Sequence, residues 1–409
     1  MKKGLKFLLV IQILLPGTQA QEKNVTETPI NYDESKIPDY TLPEVLKSND
    51  GDNIKNKRSW EKKRRPEVLT LFEDNIYGQM PKAYDSIKFK VTNEVEDALN
   101  GNDYLKNGKA SLKEVTITIW KINKSSNIHL TLFIPNEVKK PVPVFLLINN
   151  RGKYNTDPTR FIRSEFWPVE LVIDSGYAIA AFHVSDAAPD DKETYQDGIL
   201  QLYPEQLDAE NGMKAIGAWA WAASRVMDYF EKEKDIDEKK VAIVGHSRGG
   251  KASLWAGAQD QRFAIVYSNN SGNTGAALSR RNFGETVKRI NDSFPHWFTN
   301  NYKKYNDNEN ALPIDQHMLI SLIAPRPVYV TSASEDLWAD PKGSYLSLLH
   351  AQKVYDLYGV ESALSKEPPS LNSPIINSYL GYHNREGIHN LTAYDWINFI
   401  QFANYHFKF

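Results

Sequence analysis

Apolar and polar positions change period several times along the chain, and each change predicts an element. Residues 115–120 and 128–135 alternate, with Ile117 and Ile119 set against Thr116 and Thr118, then Leu130 and Leu132 against His129 and Thr131. That is the period of half-buried strands, and the polar stretch 123–127 between them predicts a turn joining an antiparallel pair. Residues 142–148 and 177–182 are unbroken apolar runs, as expected of strands covered on both faces. Between them, 167–174 predicts a helix stopping at Ser175-Gly176. Helical period also governs 60–72, through Val68, Leu69 and Phe72, and 211–230, where Ile216, Trp219, Ala223, Val226, Met227 and Phe230 form one stripe. Further strands are expected at 241–244, 263–268 and 327–333, a helix at 345–358, a weak strand near 378–382 and a last helix over 392–405.

Antiparallel strands followed by strand–helix alternation give an α/β chain of a particular layout. It is the three-layer αβα sandwich of the α/β-hydrolases, a mostly parallel sheet with antiparallel N-terminal strands. The apolar run 241–244 leads directly into Gly245-His246-Ser247-Arg248-Gly249 and then into helix-compatible residues. Strand, sharp turn and helix make this a nucleophile elbow: small residues flank a strained serine whose hydroxyl stands at the tip of the sheet. A serine needs a base to take its proton and an acid to orient the base, and in this fold they follow in the order serine, acid, histidine. His389 precedes a helix opened by the capping-box pair Thr392 and Asp395, which is where the base belongs. His383 reads as structural, His350 falls within a helix, and His406 lies at a helix end. After the strand at 327–333 come Glu335 and Asp336, adjacent and therefore pointing apart; Asp336 is favoured as the acid with Glu335 as the alternative. Asp340, before Pro341, suits a turn or cap. The backbone N–H and guanidinium of Arg248 are candidate oxyanion donors, and 149–152 offers a second, weaker loop. Lys251 lies one helical turn beyond Ser247, placed to donate to substrate hydroxyls.

Composition narrows the setting. The 409 residues are 41% hydrophobic and 24% charged with a net charge of -2, so no global field favours nucleic acid or a membrane surface. A basic start, a short apolar run and Thr18-Gln19-Ala20 predict a signal peptide over 1–20, cleaved after Ala20, and hence a secreted or periplasmic protein. Residues 21–57 form a polar arm, and 58–409 are expected to make one catalytic domain. There is no cysteine, so no disulfide or thiolate metal site exists, and neither metal nor cofactor is expected. The basic run 62–65 reads as a solvated helix face, Trp219 and Trp221 as core, and the acidic stretch 186–204 as a long loop over the sheet end.

The segment from Gly245 to Lys251 does not stand alone. Together with Ser268-Asn269-Asn270-Ser271-Gly272, the run 277–286 containing Arg280, Arg281 and Glu285, and Pro295-His296-Trp297-Phe298, it resembles bacterial glucuronoyl esterases of carbohydrate esterase family 15, over the chain from about Trp60 onward. The resemblance implies a serine carboxylesterase that cleaves the ester between 4-O-methyl-glucuronate of glucuronoxylan and lignin alcohols. Ser247 would be nucleophile, His389 base and Arg248 oxyanion stabiliser. Lys251, Glu285 and His296 would contact the sugar, and Trp338 would line its pocket. Fungal members carry their acid in a segment whose aligned position here is Asn270, an amide, which supports Asp336. A monomer acting on a xylan–lignin ester is the expected form. The alternatives are an acetyl xylan esterase and a non-catalytic carbohydrate-binding protein on a hydrolase scaffold.

Overall fold

The alternating segments are parts of longer strands. In a computed structural model, residues 29–99, 108–360 and 362–408 are described; the expected signal peptide lies outside them. Strands β1 (Ser86–Ala98), β2 (Ala110–Lys121) and β3 (Lys124–Pro135) form an antiparallel meander. The β2–β3 turn is tighter than the polar run 123–127 suggests. Ile122 and Asn123, both at positive φ, make a two-residue connection, and Lys124 already pairs with Lys121. Residues 124–127 pass for a loop because this end of the hairpin is mostly exposed. Strand β1 is absent from the expected elements. Its Ile87 and Phe89 do alternate with lysines, but the strand lies at the sheet edge and is exposed over most of its length, so its polar half hides the period.

The strands β4 (Val142–Asn149), β5 (Ala178–His183), β6 (Ile236–His246), β7 (Ile265–Asn269), β8 (Val328–Ala333) and β9 (Leu380–Arg385) are parallel to one another. The single sheet runs in the order β1-β2-β3-β5-β4-β6-β7-β8-β9. Successive residues of each parallel strand feed opposite cores. Val144, Leu146 and Ile148 of β4 join Val241 and Ile243 of β6 on one side, while Phe145 and Leu147 join Ala242 and Val244 on the other. The first core is covered by α2 (Ala215–Phe230), α3 (Arg248–Gln259) and α4 (Pro341–Asp356), the second by α1 (Val169–Asp174) and α5 (Ala393–Phe407). Both faces bury side chains worth about 1.5–3 kcal/mol each, which is why these strands read as continuous apolar runs. The result is the αβα sandwich of an α/β-hydrolase.

Tertiary contacts adjust several element boundaries. Helix α2 starts at Ala215 rather than 211, because the N–H groups of Ala215 and Ile216 donate to the carbonyls of His296 and Trp297. Helix α4 starts at Pro341, with Asp340 as its N-cap accepting from the Gly343 N–H. The basic run 62–65 is not simply solvated: Arg64 is buried against Glu67, and Arg65 donates to the carbonyls of Leu322 and Ala258. From Asn31 onward the chain forms one compact unit, in which Val45 and Ile54 are buried and His317 Nε2 donates to the Pro43 carbonyl. Among the described residues no helix is long and apolar enough to cross a membrane.

Candidate active site

Strand order reverses at β4, which has β5 on one side and β6 on the other, so a crevice opens beyond the carboxyl ends of the neighbouring strands. Ser247 follows β6 there, at φ 55 and ψ -125, and α3 begins at the next residue. The turn demands glycine at 245, where an added Cβ would lie 1.9 Å from the Gly249 carbonyl oxygen. Three further strand ends bring their loops alongside: Asn270 after β7, Asp336 after β8 and His389 after β9. Ser247, Asp336 and His389 line one cavity of about 330 Å³ with Arg248, Lys251, Glu285 and Trp338.

Asp336 is buried, and its Oδ2 accepts two bonds, from His389 Nδ1 at 2.6 Å and from Asn270 Nδ2 at 2.9 Å. With Nδ1 donating, the Nε2 of His389 is left free to accept. Glu335 is exposed and meets the histidine loop only through its backbone N–H, 3.0 Å from the Gly387 carbonyl. The loop carrying His389 is held from below by Arg385. Its Nη1 donates to the Glu386 carbonyl and its Nη2 to the carbonyls of Ile388 and Asn390, at 2.8–3.0 Å. Asp395 in turn holds Arg385 Nε at 3.0 Å and His383 Nε2 at 2.9 Å, and caps α5 through Thr392. His383 is wholly buried in β9, away from the cavity wall. His246, next to Ser247 in the chain, has its Nδ1 paired with Asn269 and its Nε2 with Arg151. Burial, then the nearby His389 and Arg151, push its imidazole well below its ordinary range, so it stays neutral.

Lys251 and Glu285 form a buried ion pair at 2.8 Å on the cavity wall, and Lys251 Nζ also donates to the Asn273 carbonyl. Burial lowers the lysine and Glu285 opposes that. Glu285 is placed by a close crossing of two backbones. Gly284, at φ 64, has no room for a Cβ against the Trp338 carbonyl, and the Glu285 N–H donates to that same carbonyl at 2.9 Å. His296 is set apart from the other candidates. It lies behind the cavity wall, with Nε2 3.0 Å from Asp190 Oδ1.

Asp190 itself has no place in the sequence reading, yet its carboxylate takes Arg248 Nη1 on Oδ2 and Trp297 Nε1, at 2.7 Å, on Oδ1. Nothing local distinguishes it from the other acids of its loop; the only hint is the length of that loop. Among the described residues no group of three or more His, Cys, Asp or Glu could hold a metal. The arrangement can activate a hydroxyl, stabilise an oxyanion and hold a polar substrate against Lys251 and Glu285.

Comparison with known proteins shows what the chain as a whole is similar to. The sequence model of a family described as fungal glucuronyl esterase matches residues 117–359. A carbohydrate esterase from an unknown prokaryotic organism is 40% identical over 98% of both chains. The glucuronoyl esterase of Solibacter usitatus is 37% identical, with a TM-score of 0.83 over 91% of this chain and 99% of that one. A 4-O-methyl-glucuronoyl methylesterase of Schizophyllum commune is 26% identical over 86% of this chain and 81% of its own length. With a family match over more than half of its length and a relative this similar from end to end, the chain belongs to the glucuronoyl esterase family.

Proposed function

We propose that the protein is a serine esterase that hydrolyses esters of 4-O-methyl-glucuronate or glucuronate, those of glucuronoxylan with lignin alcohols among them. The observation that carries this reading is the pairing of an elbow serine with a buried, cross-braced Lys251–Glu285 pair on one cavity wall. A simple acyl group needs no such wall, whereas a uronate ring offers hydroxyls to both partners. Ser247 Oγ attacks the ester carbonyl carbon as His389 Nε2 takes its proton, and Asp336 stabilises the imidazolium that forms. The tetrahedral oxyanion is met by the Arg248 N–H, which has no acceptor in the first turn of α3, and by the Arg248 guanidinium. Collapse breaks the C–O bond to the alcohol, which leaves with the proton from His389. Water, deprotonated by the same imidazole, then hydrolyses the glucuronoyl–Ser247 ester and releases the acid. Lys251 and Glu285 bind sugar hydroxyls, Trp338 covers the ring, and residues 1–20 export the chain.

The test is hydrolysis of methyl and benzyl glucuronate esters by the purified protein, with Ser247→Ala as control. Turnover by the wild type alone is expected, together with a kcat/KM higher on the uronate ester than on acetylated xylose. Equal inertness of the two proteins on uronate esters refutes the proposal, and a preference for the acetyl ester would replace it with an acetyl xylan esterase.

A further inference from the structure

Asp190 belongs to the acidic segment between β5 and α2, which is not one open loop as expected but is broken by short helical turns at Val184–Ala187, Tyr195–Asp197, Ile199–Leu202 and Pro204–Asp208. Both of its oxygens are engaged: Oδ2 by Arg248 Nη1, Oδ1 by His296 Nε2 at 3.0 Å and Trp297 Nε1 at 2.7 Å. Burial alone would raise this carboxyl, but the His296 bond, the Arg248 charge and the Trp297 bond outweigh it and hold the group ionised. The two anchors are not loose, since the carbonyls of His296 and Trp297 accept the first N–H groups of α2. Arg248 is different. Its side chain is 33% exposed at the cavity, on a flexible stem, and its guanidinium lies 5.7 Å and 5.2 Å from the ring centres of the stacked pair Phe294 and Trp297. Its Nε is buried and has no hydrogen-bond partner among the described residues. One edge of the guanidinium is thus fixed by Asp190 and one face by aromatic rings, while a donor is left without an acceptor.

We propose that Asp190 is the positioning residue of the oxyanion site: braced by His296 and Trp297, it holds the Arg248 guanidinium beside Ser247 before substrate arrives. The inference rests on the role given to Arg248 under the proposed function. An oxyanion site is effective only when its donors stand in place at the moment of reaction, so a long side chain left to wander forfeits much of its effect. A second consequence runs the other way. The Asp190 carboxylate offsets the charge of Arg248, so removing it strengthens the bare positive field. Placement prevails, because the partly exposed guanidinium is screened by solvent whereas a misplaced donor costs up to about 10²–10³ in kcat. His296, which does not reach the cavity, acquires its part here as a brace for Asp190.

The experiment is steady-state kinetics of Asp190→Asn in the full chain, on a methyl glucuronate ester and on p-nitrophenyl acetate, which requires the oxyanion site but no sugar wall. The expected result is a fall in kcat of about 10–100-fold with KM within about threefold, measured well below a melting midpoint that drops somewhat because the amide leaves one of the three donors on Asp190 without an acceptor. In an Arg248→Met background the same substitution should add less than about twofold, since the two residues act as one unit. His296→Leu, which deletes one brace, should fall between wild type and Asp190→Asn. It supplies the reading if Asp190→Asn does not fold. An unchanged or raised kcat in Asp190→Asn, or equal losses in both backgrounds, overturns the inference. Inertness of the wild type on the uronate ester alone refutes the proposed substrate and leaves the p-nitrophenyl acetate series to decide about Asp190.

Discussion

Under the proposed mechanism, replacing Asp336 by asparagine separates two services of its carboxylate, orientation of His389 and neutralisation of the imidazolium. Its Oδ2 is the common acceptor for His389 Nδ1 and Asn270 Nδ2. In Asp336→Asn an amide occupies that place. With its NH2 turned inward it would face two donors; with its oxygen inward it keeps both bonds. Each unmade buried hydrogen bond costs about 1–3 kcal/mol, so Asn270 selects the second orientation. His389 then retains its tautomer and only the charge is lost. In serine triads where the acid's loss also inverts the tautomer, the cost is about 10⁴ in kcat. With the tautomer retained we expect about 10²–10³, equivalent to about 2.7–4.1 kcal/mol of barrier. Removing the selecting donor as well, in Asn270→Ala/Asp336→Asn, should cost roughly a further tenfold as the wrong orientation becomes accessible. The assay is kcat on a methyl glucuronate ester for both variants, with Glu335→Gln alongside, which should stay within about twofold of wild type because its side chain is exposed and is not among the residues lining the cavity. Activity of Asp336→Asn within threefold of wild type would refute the argument and move the acid to Glu335.

Two further outcomes follow from buried charge. Lys251→Met leaves Glu285 buried and unpaired, so unfolding in urea should show a loss of about 3–5 kcal/mol, most of which Lys251→Met/Glu285→Leu restores. KM for the uronate ester should stay raised in both variants, and recovery of KM with stability would refute the sugar-binding role. Acid should weaken the fold earlier than carboxylate titration alone predicts. Burial holds His183, His246 and His350 below their ordinary value and pushes His317 down to about 3 and His406 to about 4. Below pH about 6.5 the unfolded chain binds protons that the folded chain refuses. Stability complete above that pH therefore falls as pH drops, by about 1.4 kcal/mol per pH unit for His317 alone until its folded value is reached. Denaturation midpoints at pH 7.5, 6 and 5 measure this, with a shallower slope expected for His317→Gln; a flat profile would refute it.

The elbow is legible because strand, turn and helix are contiguous and the steric demand on Gly245 is local. The buried strands are legible because two covered faces leave no polar position to break the run. The proposed acid is only half legible. Alternation says that one of Glu335 and Asp336 faces inward, but which one depends on the short helical turn that Asp336 opens at Leu337–Ala339, together with the donor that Asn270 presents. Strand β1 escapes because an edge strand facing solvent has no reason to carry an apolar stripe throughout. Asp190 is not legible at all. It lies 58 positions from Arg248, and only the folded path of its loop brings the two together.

The way His389 is held sets what can change around it. Arg385 grips the loop of His389 through three backbone carbonyls, and carbonyls are common to every residue type. The grip is therefore indifferent to the side chains it passes beneath. Ile388, 65% exposed next to His389, is therefore expected to accept replacement without unseating the imidazole. Under the proposed mechanism chemistry and rim are thereby uncoupled at adjacent positions: natural variation, or a library at 388, can vary the exposed rim while the hold on His389 is inherited intact.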